Sequence, residues 1–189
     1  LPAPRWGESD AQNIVHAPHW YDLYHILTND FSPWIAIDGK KGKLVFGKGL
    51  IRKAFAEHMA AVKAEAQENL GGVPVHIGEF GISFDIKNKK AFQTGDFRHQ
   101  VQVMDRTFRA LEDNLLSCTI WDYTADNTNA AKDKWNAQDY SIFSRDQQTD
   151  PANIHSGGRA LEAVVRPYAQ KVAGEPLRMS FDIKSCKFE

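Results

Sequence analysis

A chain of 189 residues is long enough for one domain with a sizeable core and too short for two ordinary ones. Its net charge of −1 and pI near 6.7 give no electrostatic case for nucleic acid or an anionic membrane as partner. No apolar run approaches the roughly 20 residues that span a bilayer, so no stable membrane insertion is expected.

The first element is the short apolar run "NIVH" (13–16), read as a strand that leads into the turn at Pro18. In the "PHWYD" that follows, His19 and Tyr21 stand two apart, and an extended backbone points both to one face. A Tyr hydroxyl there can donate to a carboxylate, and a His can orient ligand hydroxyls. An ordinary capped turn with surface aromatics is the plainer alternative. After a loop, Ile51, Phe55, Met59, Val62 and Ala66 recur every three or four residues within 50–70, and Gly71-Gly72 closes the pattern. That is an amphipathic helix with a glycine cap.

"VPVHIGEF" then reads as a strand rich in β-branched residues. Its end is unusual, because Glu79 sits between Gly78 and Gly81. A buried carboxylate without a partner costs more than packing returns, so Glu79 is either a structural ion pair or a group facing a cleft. Asp96 is the expected N-cap of a further helix with the stripe Phe97, Val101, Met104, Phe108, Leu111 and Leu115. The strand "CTIWDY" (118–123) follows, where Trp121 is either core or a flat platform for a sugar ring. A polar stretch, 124–156, leads to a last helix expected over 158–168.

Strands alternating with helices of this length predict an α/β fold with βα units and a parallel sheet, whose sites lie at the carboxyl ends of the strands. The Lys40-Lys41 and Lys87–Lys90 clusters read as solvated loop faces. Cys118 and Cys186 make neither a disulfide framework nor a zinc site. The sequence has no Asn-x-Ser/Thr sequon, which leaves the compartment undecided and leans toward a cytoplasmic or vacuolar setting over a secreted one. A rival reading makes His16, His19, His76 and Glu79 ligands of a metallohydrolase. It is weakened by His76, which lies three before Glu79 and so faces the other side of a regular strand.

The segments "APHWYD", "VHIGEFG", "CTIWDYTADNTN", "WNAQDYSIFS" and "GGRALEAVVRPYAQKVAG" together resemble the C-terminal half of the catalytic barrel of glycoside hydrolase family 5. Within it, the likeness is to the endoglycoceramidase-related β-glucosidases of fungi, over roughly residues 13 to 176. The resemblance implies a partial (β/α)8 TIM barrel, about strands six to eight, over 1–176 and the start of a C-terminal β-sandwich over 177–189. It implies that Glu79 is the nucleophile of a retaining β-glycosidase, that Tyr21 contacts it with His19 nearby, and that Trp121 lies beneath the sugar.

Asp126, Asn127 and Trp135 are then candidate substrate contacts, the first two to sugar hydroxyls. Trp135, Tyr140 and Phe143 either cover a lipid or pack the loop onto the barrel. The implied substrate is a β-glucoside, plausibly a glycolipid such as glucosylceramide or a steryl glucoside, with no metal and no cofactor. The family's acid/base Glu lies in an Asn-Glu-Pro motif, which is missing here; Glu175-Pro176 follows a helix and does not qualify. The expectation is a fragment that lacks the N-terminal half of its barrel and is inactive alone. The alternation of Met179, Phe181 and Ile183 reads the same way, as a strand without a partner. A non-catalytic sugar- or lipid-binding remnant is the remaining alternative.

Overall fold

The computed structural model describes residues 3–7, 9–10, 12–134 and 137–189. The element order is α1 (Leu23–Thr28), β1 (Ile35–Asp38), β2 (Lys43–Phe46), α2 (Lys48–Asn69), β3 (His76–Phe80), α3 (Ile86–Thr94), α4 (Arg98–Glu112), β4 (Ser117–Ile120), α5 (Leu161–Val164), β5 (Phe181–Asp182) and β6 (Lys187–Phe188). A 3-10 turn at Arg145–Gln147 interrupts the long connection after β4. Among the described residues no helix is long and apolar enough to cross a membrane.

The parallel sheet is centred on β3. It pairs with β4 in parallel, His76 opposite Ser117 and Phe80 opposite Ile120, with a register irregularity between Ile77 and Phe80. On its other side the segment His16–His19 runs parallel to it through bridges His16–Val75 and His19–Glu79. The "NIVH" strand is thus reduced to two bridges, because Pro18 lacks an N–H to donate and interrupts the ladder. The crossovers between these strands are helical, as parallel pairing requires.

The core fills the space between sheet and helices. Ile51, Phe55 and Met59 of α2 share the core with Val103, Met104 and Leu111 of α4 and Ile77 and Phe80 of β3, and Ala66 of α2 is buried too. This is the apolar stripe expected for α2, and the helix ends at Asn69, just before Gly71 and Gly72, both with positive φ. For α4 the stripe holds as far as Leu111. Leu115 lies beyond the helix in a left-handed turn, and Leu116 is buried instead. Asp96 does act on the N-terminus, accepting from the Arg98 N–H at 3.1 Å, one residue before the expected position.

Four expectations are corrected. The loop between Tyr21 and α2 contains a helix, α1, capped by the Asp22 carboxylate on the Tyr24 N–H, and an antiparallel hairpin, β1–β2. The Lys87–Lys90 cluster lies inside α3, whose residues Lys87–Lys89 take left-handed conformations. The last helix shrinks from 158–168 to Leu161–Val164. Pro167 disfavours helical geometry at Arg166, and Arg166 is instead drawn to Glu112 (2.7 Å) and Asp105 (3.0 Å) on α4. The terminal alternation is not one unpartnered strand but a hairpin, β5–β6, turned by Cys186 at positive φ. The hairpin docks on α4: Phe181 N–H donates to Glu112 at 3.2 Å, and Arg109 reaches Asp182 at 3.0 Å.

Within the β1–β2 hairpin the buried Asp38 carboxylate accepts from Lys40 N (3.1 Å), Lys41 N (3.0 Å) and the His58 ring (2.9 Å). The His58 hydrogen bond, followed by those of Lys41, holds the Asp38 carboxyl far below the usual carboxylate range. A depressed folded-state pKa contributes stability that is complete above the unfolded value, about 3.9, and is lost as pH falls below it. The urea midpoint, followed from neutral pH down to about pH 3, is expected to fall less steeply in Asp38→Asn than in the parent.

Candidate active site

The site is assembled where the His16–Tyr21 segment runs beside β3. Trp20 N–H donates to the Glu79 carbonyl at 2.9 Å, which fixes the register of the extended stretch. Alternation then divides the side chains. Trp20 packs inward, its ring edge-on to Phe55 with centroids 4.8 Å apart, while His19 and Tyr21 turn the other way. Both meet Glu79. The Tyr21 hydroxyl donates to Glu79 Oε2 at 3.1 Å, and His19 Nδ1 lies 3.1 Å from the same oxygen. Among the described residues no hydrogen bond is made to Oε1, and the Glu79 side chain keeps 27% of its surface open. Gly78 permits this closeness, since a Cβ there would sit 3.2 Å from the Ala17 carbonyl and 3.3 Å from the His19 ring.

Tyr21 is a committed donor. Burial raises its phenol above the ordinary range, and the Glu79 hydrogen bond and charge add to the effect. Its ring stands edge-on to Tyr140 with centroids 6.0 Å apart. The Tyr140 hydroxyl is 3.2 Å from His25 Nε2, which also accepts from the Ser83 N–H at 3.1 Å. Burial pushes the Tyr140 phenol up to about 12 and the His25 imidazole down, so a neutral imidazole serves as acceptor between two protonated neighbours. This supporting layer was not anticipated. Tyr140, a candidate either to cover a lipid or to pack the loop, is 4% exposed and packs against Tyr21.

Trp121 follows β4 directly. Its N–H donates to the Phe80 carbonyl at 2.8 Å, so it stands beside the strand end that carries Glu79, half-buried. The adjoining Asp122 has its carboxyl raised by burial and by Asp133, with Thr124 donating to it at 3.1 Å. Two sugar-contact candidates, Asp126 and Asn127, lie in the loop after β4. Asp126 is exposed and 3.9 Å from the Lys134 ammonium. Asn127 is buried, and its amide donates to Asp139 Oδ1 (3.1 Å) and the Phe143 carbonyl (2.8 Å), so its side chain braces the loop. Trp135 lies outside the described residues.

The loop is braced further by Arg159, which is fully buried. It donates to Asp139 (2.9 Å), the Ser141 carbonyl (3.1 Å), Gln147 (3.0 Å) and Asn129 (2.6 Å), and lies over the Phe92 ring at 4.7 Å. A guanidinium whose donors are nearly all engaged organises chain from four separate stretches, which spacing alone cannot reveal. His76 points away from Glu79 and bonds Thr119 at 2.7 Å. Among the described residues no three His, Cys, Asp or Glu side chains gather closely enough to hold a metal ion.

Comparison with known proteins gives the following likenesses. Residues 166–189 match the glycoside hydrolase family 5 C-terminal domain. The chain is 33% identical to a glucosylceramidase of Rhizopus delemar, over 98% of this chain and 30% of that protein. It is 34% identical to ergosteryl-beta-glucosidase of Saccharomyces cerevisiae, over 71% of this chain and 19% of that one. The crystal structure of sterylglucosidase 1 of Cryptococcus neoformans superposes on the whole chain with a TM-score of 0.91 and 31% identity, covering 30% of that structure. The chain therefore spans under a third of the length of these relatives. The C-terminal segment is thus that of glycoside hydrolase family 5, and the mixed α/β fold is shared over the full length of the chain with sterylglucosidase 1.

Proposed function

We propose that this chain carries the nucleophile side of a retaining β-glucosidase site whose substrate is a glycolipid β-glucoside such as glucosylceramide or a steryl glucoside. The observation that carries the reading is the asymmetric hold on Glu79: two side chains fix Oε2, while among the described residues no hydrogen bond is made to Oε1 of a side chain that keeps 27% of its surface open. A nucleophile needs that arrangement, with one oxygen anchored for aim and the other free to attack. The relatives' names supply the substrate class.

In this mechanism Glu79 Oε1 attacks the anomeric carbon as the bond to the leaving oxygen breaks, and a second carboxyl protonates that oxygen. Water, deprotonated by the same second group, then displaces Glu79 and returns it as carboxylate. The two carboxyls of a retaining pair stand about 5–5.5 Å apart. These 189 residues contain no Asn-Glu-Pro, so the partner carboxyl is assigned to chain outside them, and the fragment alone is expected to be inactive. On this reading residues 1–176 supply barrel strands six to eight with Trp121 under the sugar. The β5–β6 hairpin opens a β-sandwich.

The test is an activated 2-fluoro-glucoside, which traps the glycosyl-enzyme, followed by peptide mapping by mass spectrometry. A label on Glu79 in the complete native polypeptide, absent from residues 1–189 alone, is the expected result. Turnover with no label on Glu79 would remove the nucleophile assignment.

A further inference from the structure

We propose that α1 and the β1–β2 hairpin form a docking surface for an anionic lipid bilayer, seating the Glu79 site at the headgroups. The glucolipid such a surface would deliver rests on the function proposed above; the surface itself does not.

The first argument is the hairpin's wrong-way amphipathicity. Its Ala36–Val45 pair faces the core, with Ala36 fully buried and Val45 packed against the core cluster. The neighbouring cross-strand pairs, Ile35–Phe46 and Ile37–Leu44, therefore face outward. Leu44 is 56% and Phe46 58% exposed, and Trp34 and Leu50 beside them are equally open. A solvated antiparallel face is ordinarily polar, so a face that exposes these apolar side chains calls for something that covers it.

The second argument is charge. Residues 31–54 hold six Lys or Arg and a single Asp, in a chain whose net charge is −1. That one Asp is buried and already bonded to His58 and Lys41. Lys41 and Lys53 also face Glu57, and Arg52 faces Asp113. Among the described residues, Lys40 and Lys43 at the hairpin tip and Lys48 make no ion pair, and the Lys48 ammonium lies over the Trp34 ring at 4.9 Å. Exposed aliphatic residues, an interfacial Trp and lysines whose stems can lie along the apolar face suit anionic headgroups above acyl chains. An uncharged apolar protein face would satisfy the patch but not the lysine rim.

The third argument is continuity with the site. Helix α1 starts two residues after Tyr21 and exposes Ile26 and Leu27. Its Leu23 side chain lies against Gly39 at the hairpin tip. The docking surface thus grows directly from the segment that holds Glu79.

The test uses the complete native polypeptide with vesicles of phosphatidylcholine, with and without phosphatidylserine. We expect sedimentation with the phosphatidylserine vesicles, weakened by salt and lowered on the order of tenfold by Lys40→Glu with Lys43→Glu. Leu44→Ser with Phe46→Ser should have a similar effect, and brominated lipid should quench Trp34, judged against Trp34→Phe. Turnover of a soluble fluorogenic β-glucoside should be the same in all these variants, which also reports that they fold. Protein that stays in solution, variants that bind like the parent, or self-association without lipid binding would each overturn the proposal. If the soluble glucoside is not turned over but the vesicles are bound as expected, the glucosidase reading fails and the docking surface stands.

Discussion

Glu79→Gln in the complete polypeptide is expected to lower kcat by about 10^4-fold or more, the scale on which loss of a covalent nucleophile acts, while leaving the fold intact. Glutamine keeps the length of the side chain and an oxygen that still accepts from Tyr21, whose hydroxyl lies 3.1 Å from Oε2. What is lost is the carboxylate oxygen to which the proposed attack is assigned. Tyr21→Phe makes the informative contrast. It removes one hydrogen bond to a charged group, about 1.5–3 kcal/mol, so kcat should fall roughly ten- to a hundred-fold. Steady-state kinetics with a fluorogenic glucoside checks both, with circular dichroism to confirm folding. Equal losses in the two variants would mean that Tyr21 takes part in the chemistry itself; near-parental activity in Glu79→Gln would end the nucleophile assignment.

Gly81→Ala is expected to destabilise the chain by about 2–3 kcal/mol, in the range of overpacked cores. A Cβ at Gly81 would overlap the carbonyl oxygen of Trp121 and press on the Tyr140 ring at 3.4 Å. The obstructing atom is backbone at the end of β4, so no rotamer change relieves it. Relief would require the strand ends carrying Glu79 and Trp121 to move apart, so activity should fall along with stability. The measurement is the urea midpoint at unchanged m-value. Gly49→Ala is the control: it lies in the first turn of α2 with nothing within 4 Å of the added methyl, and should be neutral or slightly stabilising. A Gly81→Ala protein as stable as the parent would show that the β3–β4 junction is softer than its packing indicates.

The local periodicities determined a good part of this protein from the sequence. A 3.6-residue stripe specified α2 and most of α4, and a two-residue period put His19 and Tyr21 on one face of an extended segment. A glycine-flanked carboxylate at a strand end marked Glu79. The β1–β2 hairpin is also written there, as two short apolar runs (34–37 and 44–46) joined by a Gly-containing turn, although its lysines suggest a solvated loop. The charge total hid the same segment, because six basic residues in one stretch are offset by acids elsewhere. Only the tertiary structure decided what lies behind the site. Tyr140 reaches His25 across 115 residues of chain, and Arg159 collects Asp139, Asn129 and Gln147 around a buried charge. It also decided that Asn127 braces the loop and that Arg166 leaves a helical path to pair with α4. These outcomes depend on which buried polar groups must find partners once the sheet and helices have closed, and that requirement belongs to the assembled interior, where no residue's sequence neighbours can anticipate it.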